Sequence, residues 1–319
     1  MRYSLSGTTG LTWPEIRDAA LLAEELGYAS LFAADHLMAV AGFDEDAGLL
    51  DAVSLLLALA PVTTTLRLGA MVSPITTRHP VVLARAIQTL DVISEGRAEL
   101  GVGAGWSASE HAAFGLPFPP APRRLELLED ACRTLVALWE SPDPVYREGD
   151  FPLRGARLRP RPVQRSAPLL VAGGSDHAVR IAARWGRAWN ATGSPRFLQE
   201  RVQLLREEEA NASRSGTVEI TATVRLEFCE TAPEIEGKAD AVRAAPRARY
   251  AQREVCLPGE DPAGALYIGP LGGVGDYMAS LEDVGVQRAL IPVPRPWDPA
   301  QLRRLTAAIG LQGPGAQAG

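Results

Sequence analysis

The sequence predicts a (β/α)8 barrel with insertions, and three observations carry that prediction. Strand-like and helix-like segments alternate from one end of the chain to the other, the pattern of a mainly parallel α/β architecture. Eight such strands fit within the 319 residues, as a closed barrel with insertions requires. A doubly wound open sheet, the runner-up, would announce itself by G-x-G-x-x-G after the first strand. Here that turn reads Gly7-Thr8-Thr9-Gly10.

The first strand is Arg2–Ser6. Thr12-Trp13-Pro14-Glu15 opens a helix, because Thr12 and Glu15 have capping-box spacing and an early proline loses only an N–H that would be unpaired anyway. Ile16, Ala19, Ala23 and Leu26 then share one face, and Gly27 stops the helix. Ala29–Ala34 reads as a buried second strand ending at Asp35-His36. A helix at Leu50–Ala60 leads to a third strand, Leu66–Val72. Leu83, Ile87 and Leu90 mark a helix over Pro80–Ile93, followed by a fourth strand at Ala98–Val102. Leu125, Leu128, Cys132, Leu135 and Trp139 form the apolar stripe of a long helix. Residues 151–166, rich in Pro and Arg, predict an irregular excursion or hairpin. Strands follow at Leu169–Ala172, Arg187–Ala191 and Val218–Phe228, with helices Asp176–Arg184 and Arg196–Ala212 between them. Ala289–Val293 is the eighth strand, and a helix at Pro299–Ile309 closes the set. The expected organisation is one domain over residues 1–311, with insertions at about 142–167 and 230–266 and a disordered tail at 312–319. The 230–266 segment carries acidic residues and then arginines, and reads either as a lid over the barrel mouth or as a solvated loop.

Hydrophobic residues at 46% and charged residues at 22% are those of a soluble globular protein. A net charge of -6 disfavours nucleic acid as a partner. Cys132, Cys229 and Cys256 are odd in number and without a C-x-x-C pair, which argues against a disulfide framework or zinc site and suits a reducing compartment. The N-terminus shows no signal-peptide pattern, and the apolar run Ala52–Val62 is too short for a bilayer. A cytoplasmic protein without membrane attachment is expected.

In a barrel, residues just past the strand C-termini face the active site, so the main pocket is expected there, lined by Asp35, His36, Met71, Ala104 and Trp106. Four turns qualify. At Asp35-His36, an imidazole oriented by its neighbour transfers a proton near neutral pH, or the pair is a capped turn with a surface histidine. Along Leu68–Pro74, Gly69 and Ala70 let a flat ring approach the backbone, or mark an ordinary strand end. In Leu100–Glu110, alternating glycines leave room for a bulky ligand, although tight packing explains them as well. At Gly173-Gly174-Ser175-Asp176, exposed N–H groups, a hydroxyl and a helix N-terminus suit phosphate, or Ser175 or Asp176 is a plain N-cap. The four histidines are scattered, and no metal site is expected.

Together these segments resemble the luciferase-like monooxygenase family, especially the members that use the deazaflavin coenzyme F420. The matching stretches run from Glu25-Leu26-Gly27-Tyr28 through Asp35-His36, Leu68-Gly69, Arg78-His79-Pro80 and Thr89-Leu90-Asp91. The most specific is Ser94-x-Gly96-Arg97 with Leu100-Gly101-Val102-Gly103-x-Gly105-Trp106 and Glu110. Val171-Ala172-Gly173-Gly174 follows later. The likeness covers residues 1–200 well and thins beyond Gly216.

The resemblance implies a bacterial-luciferase-like barrel, commonly a homodimer, with F420 or alternatively FMN at the strand C-termini and a small-molecule substrate. Asp35 and His36 would lie beside the ring, with Ala70, Met71 and Val72 under it across a non-proline cis peptide at Met71–Val72. Gly103, Ala104 and Trp106 would complete the ring site. Gly173, Gly174 and Ser175 would hold the phosphate, with a contribution from Ser109 and Glu110. His36 is then the main proton-transfer group, with Asp35 orienting it and Glu110 a second candidate. One departure stands out: the sugar-phosphate dehydrogenases of the family carry a catalytic Glu where this chain has Trp106. The leading function is hydride transfer with F420. An FMN-dependent, oxygen-using monooxygenase is the alternative, and a catalytically silent cofactor-binding protein the third. Arg154, Arg157, Arg159, Arg161 and Arg165 offer a basic rim for the acidic tail of F420, or a solvated loop.

Overall fold

A computed structural model describes residues 1–39, 47–146, 148–244, 255–256 and 266–313. In chain order, β1 (Arg2–Ser6) leads into α1 (Trp13–Glu25), then β2 (Ser30–Ala33), α2 (Ala52–Leu59), β3 (Arg67–Pro74), α3 (Pro80–Ile93) and β4 (Ala98–Gly103). At the start of α1 the Glu15 carboxylate accepts from the Thr12 N–H at 2.7 Å, as the capping-box spacing predicts. A short α4 (Ala108–Ala113) precedes the long α5 (Ala121–Glu140). Leu128, Cys132, Leu135 and Trp139 of α5 are buried, so the expected stripe is core packing. The Pro/Arg-rich excursion combines both expected forms: Leu153–Arg154 (β6) pairs antiparallel with Val145–Tyr146 (β5), and residues 155–166 are irregular.

Next come β7 (Leu169–Ala172), α6 (Asp176–Trp185), β8 (Ala188–Ala191), α7 (Pro195–Asn211) and β9 (Glu219–Thr223). After them the chain runs through β10 (Arg225–Phe228), α8 (Ala232–Ala244), β11 (Val255–Cys256) and β12 (Leu266–Gly269). It ends with α9 (Val274–Asp283), β13 (Arg288–Pro292) and α10 (Pro299–Ala308). The barrel closes in the order β1-β13-β9-β8-β7-β4-β3-β2, with every pairing parallel. Its strands are buried on both faces, which is why they read as near-continuous apolar runs.

Three sequence expectations change. The single strand foreseen at Val218–Phe228 is two. The barrel ladder ends at Thr223, the Val224 N–H still donates to Leu290 O at 3.0 Å, and Arg225–Phe228 then leaves to pair with β12. The 230–266 insertion is neither a bare lid nor a bare loop over its described part. There α8 packs Ala239 and Val242 on Leu266 and Ile268, giving a small core of its own. Residues 245–254 and 257–265 of that insertion, and 314–319 of the tail, lie outside the described residues. The helices α4 and α9 add to the expected set. Among the described residues no helix is long and apolar enough to cross a membrane.

The N-terminal floor of the barrel is ionic. Glu99 on β4 accepts from Arg288 of β13 at 2.9 and 2.8 Å, from Arg67 of β3 at 2.9 Å and from the Ser30 hydroxyl of β2 at 2.7 Å. Burial opposes its ionisation, but the charges of Arg288 and Arg67 and these hydrogen bonds prevail and hold its carboxyl at about 2.

Candidate functional site

The opposite end of the barrel carries the expected residues. Just beyond β2, Asp35 is almost fully buried and accepts from the Ser73 hydroxyl at 2.5 Å. It also takes a two-pronged hydrogen bond from Arg78, 2.8 Å from Nε and 2.8 Å from the second nitrogen. Arg78 reaches on to Asp51, the N-cap of α2, so one guanidinium ties both ends of the β2–α2 connection to the β3–α3 loop. Asp35 is therefore spoken for by Ser73 and Arg78, and it is not the carboxylate that holds His36.

That carboxylate is Glu110. Ser107 caps α4 and accepts from the Glu110 N–H at 3.3 Å, which turns Glu110 inward, where it is 1% exposed. Its oxygens lie 3.2 Å from His36 Nδ1 and accept from the Leu37 N–H at 2.5 Å. With Nδ1–H donated to Glu110, His36 keeps Nε2 for a substrate. Trp106, 56% exposed, stands edge-on to the His36 ring at 5.7 Å between centroids and 80° between planes. Leu37 and Met38, which follow His36 in the chain, are also exposed apolar side chains. Ser109 is exposed on α4, its hydroxyl 3.3 Å from that of Ser107.

Met71–Val72 is a cis peptide, at the place the resemblance indicates. The β3–β4 register shifts between Ala70 and Ser73, and glycines across the gap accommodate the change. A Cβ at Gly101 would meet Ala70 O at 2.5 Å, and one at Gly103 would meet Val72 Cγ2 at 3.0 Å. Gly105, at φ +78, would meet Thr76 Oγ1 at 2.6 Å. Of the two readings left open for this glycine run, close strand packing explains these three positions. Ala104 lies half-buried between Gly103 and Gly105, beside Trp106.

At the end of β7 the Gly173 N–H donates to Asn190 O at 2.9 Å, and a side chain at Gly174 would strike Phe197 at 2.8 Å. Ser175 caps α6 by accepting from the Ala178 N–H at 3.2 Å, which leaves its hydroxyl proton free to donate. Among the described residues no backbone acceptor takes the N–H groups of Gly174, Ser175, Asp176 or His177. N-cap and anion donor are thus compatible roles for Ser175, and the donor set fits a phosphate. Asp176 would oppose an anion, but its carboxylate is ion-paired with Arg201.

One expectation about this end changes. A cleft of about 570 Å³ lies at the other end of the barrel, at the N-terminal ends of the strands. Arg165 lines that cleft, and Arg161 donates to Trp139 O at 2.8 Å at the end of α5, so these two arginines do not form a rim at the mouth. Among the described residues no group of three His, Cys, Asp or Glu could hold a metal ion.

Fold and site together define a parallel (β/α)8 barrel whose chemistry-bearing side chains follow the strand C-termini. The chain belongs to the luciferase-like monooxygenase family, whose model matches residues 2–292. An F420-dependent glucose-6-phosphate dehydrogenase of Kineococcus radiotolerans is 32% identical over 222 residues, 68% of this chain and 64% of that protein. Matches to the curated relatives span between 52% and 64% of those proteins' length. The coenzyme F420-dependent tetrahydromethanopterin reductase of Methanopyrus kandleri shares the fold, with a TM-score of 0.76 at 19% identity over 98% of each chain. So does a riboflavin lyase solved with modified FMN and riboflavin, with a TM-score of 0.74 at 18% identity over 99% of this chain and 93% of that one.

Proposed function

We propose that this chain is an F420-dependent oxidoreductase acting on a small carbonyl-bearing or unsaturated organic substrate, with His36 moving the proton. The observation that carries the reading is His36 itself. Its Nδ1 is held by buried Glu110, its Nε2 is left for substrate, and Trp106 stands at its edge. The deazaflavin, when bound, supplies or accepts the hydride at its C5. Ala70, Met71, Val72, Gly103 and Ala104 would lie along its ring. The Ser175 hydroxyl with the N–H groups of Gly174, Ser175 and Asp176, at the turn that Gly173 opens, would take its phosphate, assisted by Ser109. Hydride arrival leaves negative charge on the substrate, which a nearby imidazolium stabilises and protonates. Glu110 would balance the charge of that imidazolium and fix its orientation, while Asp35, clamped by Arg78, sets the loop that presents it. Trp106, Leu37 and Met38 would exclude water from the reacting atoms.

The relatives named as F420-dependent dehydrogenases support this cofactor over FMN. Trp106, where the sugar-phosphate enzymes carry a glutamate, argues against a sugar phosphate as the substrate. The FMN-dependent monooxygenase is the second reading, because the same barrel and phosphate turn would serve it.

Titration of the protein with F420 and with FMN, read by quenching of tryptophan fluorescence, separates the cofactors. The reaction is then run without oxygen, using reduced F420 and a panel of enones, imines and ketones. His36→Ala is expected to keep F420 affinity and to lower turnover by about 10²–10⁴-fold. Strict dependence on oxygen and reduced FMN would reject the proposal, and full turnover in His36→Ala would reject His36 as the acid.

A further inference from the structure

The cleft at the floor of the barrel has a composition unlike the rest of this acidic chain. Arg2, Arg67, Arg165, Arg187 and Arg288 line it against only Glu99 and Glu219, leaving three positive charges in excess. The whole chain carries a net charge of -6, so the cleft is a local reversal of sign. Three of the five guanidinium groups are engaged: Arg2 with Glu219 at 2.6 Å, Arg67 with Glu99, and Arg288 with both carboxylates. The side chains of Arg165 and Arg187 are exposed and have no hydrogen bond or ion pair among the described residues.

A second observation comes from the cleft's interior. Arg288 is 2% exposed, and its Nε has no hydrogen-bond partner although its two other nitrogens are satisfied. A buried donor left unpaired costs about 1–3 kcal/mol, so such groups ordinarily have an acceptor. Ser166 and Thr217 add neutral hydroxyl groups to the lining, while the Gln164 side chain is held by Arg67, Asp91 and Ala98 O. At about 570 Å³ the space matches that of small-molecule sites.

We propose that this floor cleft binds a small, multiply charged anion bearing phosphate or carboxylate groups. One anionic group would be taken by Arg165 and Arg187 at the rim, and another would accept from the buried guanidinium layer around Arg288. A cleft with one sign of charge and low-dielectric walls concentrates counter-ions, and arginine forks match both oxyanion geometries. Binding would relieve repulsion among the arginines and stabilise the fold by mass action. The site lies at the barrel end opposite His36, and the inference is independent of the redox reading.

The test is calorimetric titration with pyrophosphate and, separately, with citrate, against sodium chloride at matched ionic strength. Three proteins are compared: the unmodified chain, the Arg165→Ala/Arg187→Ala double variant and Ser175→Asp. Both arginines are exposed, so the double variant is expected to fold, which circular dichroism checks. Saturable one-to-one binding of pyrophosphate or citrate is expected. It should weaken by about tenfold or more in the double variant, from the loss of charge-assisted hydrogen bonds, and persist in Ser175→Asp. The tighter anion identifies whether phosphate or carboxylate is the preferred group. Absence of saturable binding for both anions overturns the proposal, as does equal binding by the double variant. Loss of binding in Ser175→Asp also overturns it, by placing the anion at the other end of the barrel.

Discussion

The ionic floor makes a sharp prediction about acid stability. Glu99 is held at about 2, against an ordinary value of 4.5, because Arg288 and Arg67 outweigh the cost of its burial. A carboxyl depressed in the folded state stabilises the fold above its ordinary value, and that contribution is lost as pH falls from about 4.5 towards 2. The difference corresponds to roughly 3 kcal/mol, of which about 2 kcal/mol is gone by about pH 3. Glu24 is also held at about 2; burial opposes its ionisation, but the N–H groups of Thr64, Thr65 and Leu66 more than offset it. Acid sensitivity of the unmodified protein alone would therefore not isolate Glu99. The comparison is with Glu99→Gln, which keeps the shape and removes the titration. That variant should be less stable near neutral pH, by about 3–5 kcal/mol, because Arg288 then lacks its main counter-charge. Urea unfolding followed by circular dichroism, at about pH 6 and about pH 3, should show the gap between the two proteins narrowing by about 2 kcal/mol. An unchanged gap across that range would refute the reasoning and make Glu99 a bystander in acid unfolding.

Three further outcomes are expected. Arg78→Ala leaves buried Asp35 with Ser73 alone and should cost about 2–4 kcal/mol in urea unfolding, and Arg78→Lys should recover only part because it cannot reproduce the fork. Gly101→Ala forces a Cβ against the Ala70 carbonyl, backbone against backbone, and should lower stability by about 1–3 kcal/mol in the same assay. Ser175→Asp keeps a capping oxygen for α6 but adds a charge where a phosphate is proposed, so F420 affinity by fluorescence titration should fall by about tenfold or more, and an unchanged affinity would place the phosphate elsewhere.

The barrel was legible in the sequence where a local signal coincides with a tertiary one. Capping at Thr12–Glu15, the stripe on α5 and the buried runs of β2, β4 and β7 each say locally what the barrel needs. It was illegible where a strand changes partner without changing composition. Val224 is as apolar as a strand interior, so nothing in 218–228 marks the point at which β10 leaves the barrel. The helix α9 had a readable signal, since Val274, Tyr277, Met278 and Leu281 have helical spacing and are all buried. The site divides in the same way. That Asp35, His36 and Trp106 follow strand ends, and that Met71 lies near the C-terminal end of its strand, could be read from order along the chain. Which carboxylate serves His36 could not, because Glu110 and Arg78 reach the Asp35-His36 turn across 74 and 43 residues.

The two ends of the barrel obey one rule of register. Parallel strands in a closed barrel place equivalent positions in common layers. Arg2, Arg67, Glu219 and Arg288 are each the first residue of a barrel strand, and Glu99 is the second residue of β4. Charges at the start of otherwise apolar strands must therefore meet in the floor, where they either neutralise one another or recruit an ion. Residues at or beyond the strand ends must likewise meet at the mouth, as His36, Ser73 and Trp106 do. A chain of this kind thus declares two polar layers by position alone. At the mouth, the buried carboxylates Asp35 and Glu110 are each matched by a group on a neighbouring loop, which leaves His36 Nε2 available for chemistry. At the floor, the arginines outnumber the carboxylates, and that imbalance is what makes an anion the expected occupant.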